Sequence, residues 1–177
     1  LIPSGEGGHS TIKHGPPGPA SLDRWPLYND IAHQQAHTTW LKDAHDEGLN
    51  LVVVSAVNFE PFCHLLNLLH EKRHKVKCRD MPSVERQIEA AKQMADNHSW
   101  YRIALDPWHA RDIINDGDLA VILSMEVSHP LPKRNFTKQL DRFHEMGLRS
   151  LQLAHETNSR FAGAAPHRKI FEYLAEL

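Results

Sequence analysis

Only two cysteines, Cys63 and Cys78, occur in the 177 residues, and they lack C-x-x-C spacing. Two thiols cannot form a zinc site by themselves. They bracket a short stretch, which allows a disulfide in an oxidising compartment, although two free thiols is the plainer reading. Glycines are few, nine in all, and none belongs to a phosphate-cradling loop or a dinucleotide fingerprint. There is no Gly-x-Ser-x-Gly elbow and no catalytic-cysteine context, so serine or cysteine hydrolysis has no support. No apolar run approaches a membrane span, and no signal-peptide core stands at the N-terminus. The chain starts with Leu1 rather than Met, so a processed, trimmed or excerpted chain is expected and the missing signal says little about compartment. A net charge of -2 gives no electrostatic footprint for nucleic acid or an anionic membrane. Internal repeats and low-complexity tracts are also absent.

What is present is ordinary for a folded domain. Apolar residues make up 41 % and charged residues 24 %, enough for a real core but on a chain shorter than the roughly 250 residues of a closed eight-stranded barrel. Fourteen histidines are the outlier. They are scattered from His9 to His167, which excludes a tag and leaves room for metal chemistry.

Helical and strand patterns alternate. Residues 1–24, rich in Gly, Pro and Ser, read as an irregular loop, and residues 25–177 as one α/β domain. Asn29 or Asp30 looks like an N-cap for a helix that Gly48 ends. Leu49 to Asn58 is β-branched and nearly continuous, as in a buried strand. A helix over about 60–72 and a basic loop, His74 to Arg79, follow. Asp80 with Pro82 opens the next helix, whose Val84, Ile88, Ala91 and Ala95 share one face. Tyr101 to Leu105 reads as a short strand, and Asp106-Pro107 as a helix start ended by Asp116-Gly117-Asp118. A strand then runs to Glu126. Asn135 caps a helix carrying Leu140, Phe143 and Met146, Gly147 stops it, and a further strand ends at His155. A final helix spans about 166–177. This order predicts parallel strands joined by right-handed crossovers. Three clear strands are too few to close a barrel, so the sheet is either open or part of one.

Chemistry in parallel sheets collects beyond the carboxyl ends of the strands. Glu126 and His155 occupy two consecutive strand ends, one a carboxylate and the other an imidazole fit for metal binding or proton transfer. The bland alternatives are a strand that ends in solvent and a half-buried ring. His129, three residues past Glu126, lies within reach of the same site, either backing a residue that touches the ligand or facing solvent. His33-Gln34-Gln35-Ala36-His37 puts two imidazoles on one helical face, but a zincin needs Glu where Gln34 stands, and an amide cannot take up a proton. A structural or exposed helix face is the better reading there.

Several segments resemble the membrane (renal-type) dipeptidase family of zinc metallopeptidases in the amidohydrolase superfamily. They are Trp25-Pro26 with Asn29-Asp30 and His33-Gln34-Gln35, then Leu49 to Asn58, and Cys78-Arg79-Asp80-Met81. The most specific are Asp116-Gly117-Asp118-Leu119-Ala120-Val121 running to Met125-Glu126, and Met146-Gly147-Leu148-Arg149 through Leu153-Ala154-His155. The likeness spans about residues 25–163. It implies part of a (β/α)₈ TIM-type barrel with two Zn²⁺ ions, Glu126 bridging both metals and His155 contacting the substrate near the scissile carbonyl. The implied substrate is a small peptide or related amide, and a homo-oligomer is compatible with it. A periplasmic or secreted setting is favoured over the cytoplasm.

The departures are specific. No His-x-Asp or His-x-His pair marks a first barrel strand, and the family's later histidines and aspartate belong downstream of His155. Ala154 stands where Thr is usual, and Ser124-Met125 replaces Gly-Ile. The segment alone is therefore expected to be inactive. A catalytically dead amidohydrolase-like binding or assembly module is the alternative.

Overall fold

The computed structural model describes residues 38–69, 77–155 and 157–164. The expected loop over 1–24, the Asn29/Asp30 cap, His33 and His37, the first half of the basic loop (74–76), and the last helix lie outside the described residues. The chain divides into two compact units, residues 1–49 and 50–177. Within the first, α1 (Thr38–Asp46) ends at Gly48, whose φ of 112° suits a residue without Cβ.

The second unit carries β1 (Leu51–Asn58), α2 (Glu60–Leu69), α3 (Asp80–Asn97), β2 (Tyr101–Ile103), α4 (Pro107–Asn115), β3 (Leu119–Val127), α5 (Phe136–Glu145) and β4 (Leu148–Leu151). Each helix start and stop has a local cause. Asp106 caps α4 by accepting from the N–H groups of Trp108 (2.9 Å) and His109 (2.8 Å), with Pro107 at the first turn. Asn135 holds the N-cap position of α5 in a left-handed conformation, φ 56°, without the expected side-chain bond. Gly147 ends α5 at φ 102°, and a Cβ there would lie 3.5 Å from Leu123 Cδ1.

All strand pairs are parallel. β3 is central: β1 pairs with it from Leu51↔Ala120 to Asn58↔Val127. On its other edge β2 pairs with the first residues, Tyr101↔Leu119 to Ile103↔Val121, and β4 with later ones, Leu123↔Leu148 to Met125↔Leu151. The chain passes over β3 between β1 and β2, then steps back from β2 to β3. Right-handed crossovers thus place α3 and α4 on opposite faces. Accordingly, Ala110 and Ile113 of α4 cluster with Ala104 and Ala120. The other face of β3 presents Leu119, Val121, Leu123, Met125 and Val127, each at most 1 % exposed. Val84 and Ile88 of α3 and Phe143 of α5 are as deeply buried, each contributing roughly 1.5–3 kcal/mol.

Three sequence expectations change. β1 is a strand but not a buried one, since Leu51, Val53 and Val57 are 42 %, 52 % and 45 % exposed. Apolar periodicity fixes the strand but cannot say what covers its second face. Leu140 of α5 is 39 % exposed rather than core. Cys63 and Cys78 form a disulfide with Cα atoms 5.5 Å apart, instead of the two free thiols favoured from spacing. Among the described residues, no helix is long and apolar enough to cross a membrane.

Tyr101 is fully buried, and its hydroxyl has no hydrogen-bond partner among the described residues. Burial alone pushes its ionisation up to about 12, so the group stays neutral and contributes only desolvation cost. Tyr101→Phe should leave stability unchanged or raise it by about 1 kcal/mol, as read from urea unfolding. A loss above that amount would mean the hydroxyl has an ordered partner.

Candidate functional site

Glu126 stands one residue before the end of β3, on the face shared with Val57 of β1. His155 is not on β4; it lies four residues beyond Leu151, in an isolated antiparallel bridge with Thr157. The strand expected to reach His155 stops early, and Gln152 N–H donates to Met125 O (2.9 Å) at its exit. Two bonds then fix the His155 backbone: its carbonyl accepts from Ser128 Oγ and from Thr157 N–H, both at 2.8 Å. Ser128 is fully buried just past β3, so the exits of β3 and β4 are tied together.

This tie brings His155 Nδ1 to 3.2 Å from Glu126 Oε1. The two side chains are 21 % and 27 % exposed, respectively, which leaves both open to a ligand. A carboxylate on Nδ1 favours the proton at that nitrogen and leaves Nε2 to act. The pair can accept a proton at Nε2 or, once protonated, donate to a developing oxyanion. Among the described residues, no group of three or more His, Cys, Asp or Glu could hold a metal ion. Glu126 and His155 are suitable donors, but two fall short of the four of a typical zinc site. His129 does not join them in any hydrogen bond or ion pair among the described residues; its backbone N–H is committed elsewhere.

That commitment identifies a residue whose site role sequence reasoning missed. Asp80, read as a helix start and as part of a family-like segment but given no site role, is 2 % exposed and ties three segments together. Its Oδ1 accepts from Asn58 Nδ2 at the end of β1 (2.6 Å), and its Oδ2 accepts from His129 N–H past β3 (2.9 Å). Its own N–H donates to Glu60 Oε1 (2.6 Å). The sequence signal was faint: a carboxylate beside Cys78, itself buried and disulfide-bonded.

Burial pushes the Asp80 carboxyl above its ordinary 3.8, outweighing the lowering by the Asn58 and His129 bonds. The folded chain thus holds this proton more tightly than the unfolded chain. The associated stability is fully present below pH 3.8 and is lost as pH rises through the folded-state value. Asp80→Asn should cost about 1–3 kcal/mol, because an amide cannot accept both bonds and turns a donor toward a donor. The deficit relative to the parent protein should be larger near pH 4 than at pH 7 in chemical denaturation. A deficit that grows toward neutrality would contradict the sign.

A family model, membrane dipeptidase (peptidase family M19), matches residues 27–176. The chain belongs to that family. No individual curated protein and no solved structure matches it.

Proposed function

We propose that this member of the membrane dipeptidase family hydrolyses dipeptides or related small amides, with Glu126 and His155 at the reacting centre. The observation that carries the reading is their 3.2 Å pairing at the carboxyl end of a parallel sheet, where such folds place chemistry. Family membership motivates reading the parallel strands as part of a (β/α)₈ barrel, although the order β1-β3-β2 is that of an open sheet. The Cys63–Cys78 disulfide supports a periplasmic or secreted location.

Family membership also motivates a dinuclear zinc site with Glu126 as the shared ligand. A carboxylate has an oxygen for each of two cations and offsets their repulsion. Among the described residues, the donors do not complete that site. His155, held at Nδ1 by Glu126, presents Nε2 to the substrate carbonyl; protonated, it stabilises the tetrahedral oxyanion. Ser128 keeps the ring's backbone in register with β3. The test is dipeptide turnover by the zinc-supplied full-length protein and its Glu126→Gln variant. A zinc-loaded protein that binds dipeptides without turnover would indicate a binding or assembly module instead.

A further inference from the structure

The loop that leaves β3 is held from two directions. On one side stands the start of α3. Asp80 Oδ2 accepts from His129 N–H (2.9 Å), and Sδ of Met81, the next residue, accepts from Leu131 N–H at 3.3 Å. On the other side Ser128 Oγ donates to His155 O at 2.8 Å, and the His155 ring meets Glu126. Two hydrogen bonds and one intervening residue, Ser128, therefore connect the Asp80 carboxylate to the His155 backbone.

The loop does not keep its shape unaided. Leu131 is buried and has φ 65°, a conformation that a branched side chain holds only where its surroundings impose it. The bonds to Asp80 and Met81 pin the backbone at that residue and two positions before it. Asp80 is the firmer anchor. It stands in the first turn of α3, where the helix dipole favours a carboxylate, and a charge-assisted bond is roughly twice as strong as a neutral one. Thioether sulfur is only a weak acceptor. Asn58 at the end of β1 holds the other Asp80 oxygen (2.6 Å), and Glu60 accepts the Asp80 N–H (2.6 Å). The carboxylate is thus fixed independently of the loop that it holds.

We infer that Asp80 is a positioning residue for the hydrolytic centre: through His129 N–H and Ser128 it sets where the His155 ring stands against Glu126. This role presupposes the hydrolase reading above and adds to it a buried group that touches no reacting atom. A displacement of about 1 Å at a reacting group costs about a hundredfold in rate. With Met81 still bracing the loop, loss of the Asp80 bond should cost about tenfold.

Asp80→Asn, Ser128→Ala and the double variant, each as zinc-supplied full-length protein, test the connection. With a dipeptide, Asp80→Asn should lower kcat about tenfold and leave KM within about threefold of the parent. Ser128→Ala should act similarly, and the double variant should lose little more than either, because both cut one path. Losses that multiply overturn the positioning role. If Asp80→Asn does not fold, Asp80→Ser, well tolerated at a helix start but too short to reach His129, carries the same expectation. Glu60→Ala removes the acceptor of the Asp80 N–H and should weaken the fold while changing kcat less than about twofold. An equal fall in kcat there would mark the Asp80 effect as lost stability and overturn the role.

The Nδ1 proton of His155 gives a readout that needs no turnover. Held against Glu126, it exchanges slowly and yields a downfield NMR signal in protein carrying isotope-labelled histidine, assigned by its loss in His155→Gln. The signal should broaden or vanish in Asp80→Asn and persist in Glu60→Ala. A signal that Asp80→Asn leaves unchanged, or an unchanged kcat where the parent turns over dipeptide, overturns the positioning role. A parent protein that cleaves no dipeptide yet shows the expected signal pattern overturns the hydrolase reading alone.

Discussion

Glu126→Gln is expected to lower kcat/KM for dipeptides by about three orders of magnitude or more and to reduce bound zinc in the full-length protein. The amide matches the carboxylate in shape, so β3 and its core face should be undisturbed. What disappears is the negative charge. Without it, the His155 ring loses the acceptor that fixes its Nδ1 proton, and two cations would lose their shared anionic ligand. Metal and oxyanion stabilisation each amount to several kcal/mol of transition-state energy, which sets the size of the effect. Elemental analysis for zinc, run beside the kinetics, separates the two contributions. Unchanged metal stoichiometry would remove Glu126 from the metal site, and unchanged turnover would remove it from the reacting centre.

Replacing both Cys63 and Cys78 with Ser should destabilise the fold by about 3 kcal/mol. The cross-link closes a sequence separation of 15, and the cost follows from the entropy it removes from the unfolded chain. For a chain of this size that corresponds to a fall of roughly 6–12 °C in Tm. The bond joins α2 to the residues just before α3, and Cys78 O accepts from Asn58 Nδ2 (2.7 Å) beside Asp80. Its loss should therefore loosen the Asp80 tie as well. Dithiothreitol should lower the Tm of the parent protein and leave the double variant unaffected. Equal melting of the two proteins would mean that the thiols are free in solution.

Local signals were legible in the chain. The face of Val84, Ile88 and Ala91, the Asp106-Pro107 cap and the stops at Gly48 and Gly147 all act within a turn or two, and each is where periodicity and capping put it. Glu126 could be read for the same reason, as a carboxylate that follows a continuous apolar strand. His155 was expected at a strand end and lies four residues beyond β4 instead, because a polar side chain beyond β4 looks the same in sequence whether or not pairing continues. The exposure of β1 and Leu140 escaped for a related reason: burial depends on what lies opposite, and periodicity describes one element at a time.

The sequence by itself therefore determined the alternation of helices and parallel strands, and the motifs that mark the family. Tertiary structure decided which polar groups meet. Ser128 reaches His155 across 27 residues, Arg160 reaches Pro132 across 28, and His129 reaches Asp80 across 49. None of these separations carries a periodic signal, because each contact arises where strand exits converge after the core has packed. The scarcity that looked most limiting, two cysteines without a motif, was resolved in the same way: bonding depends on Cα proximity, which the fold sets and spacing does not.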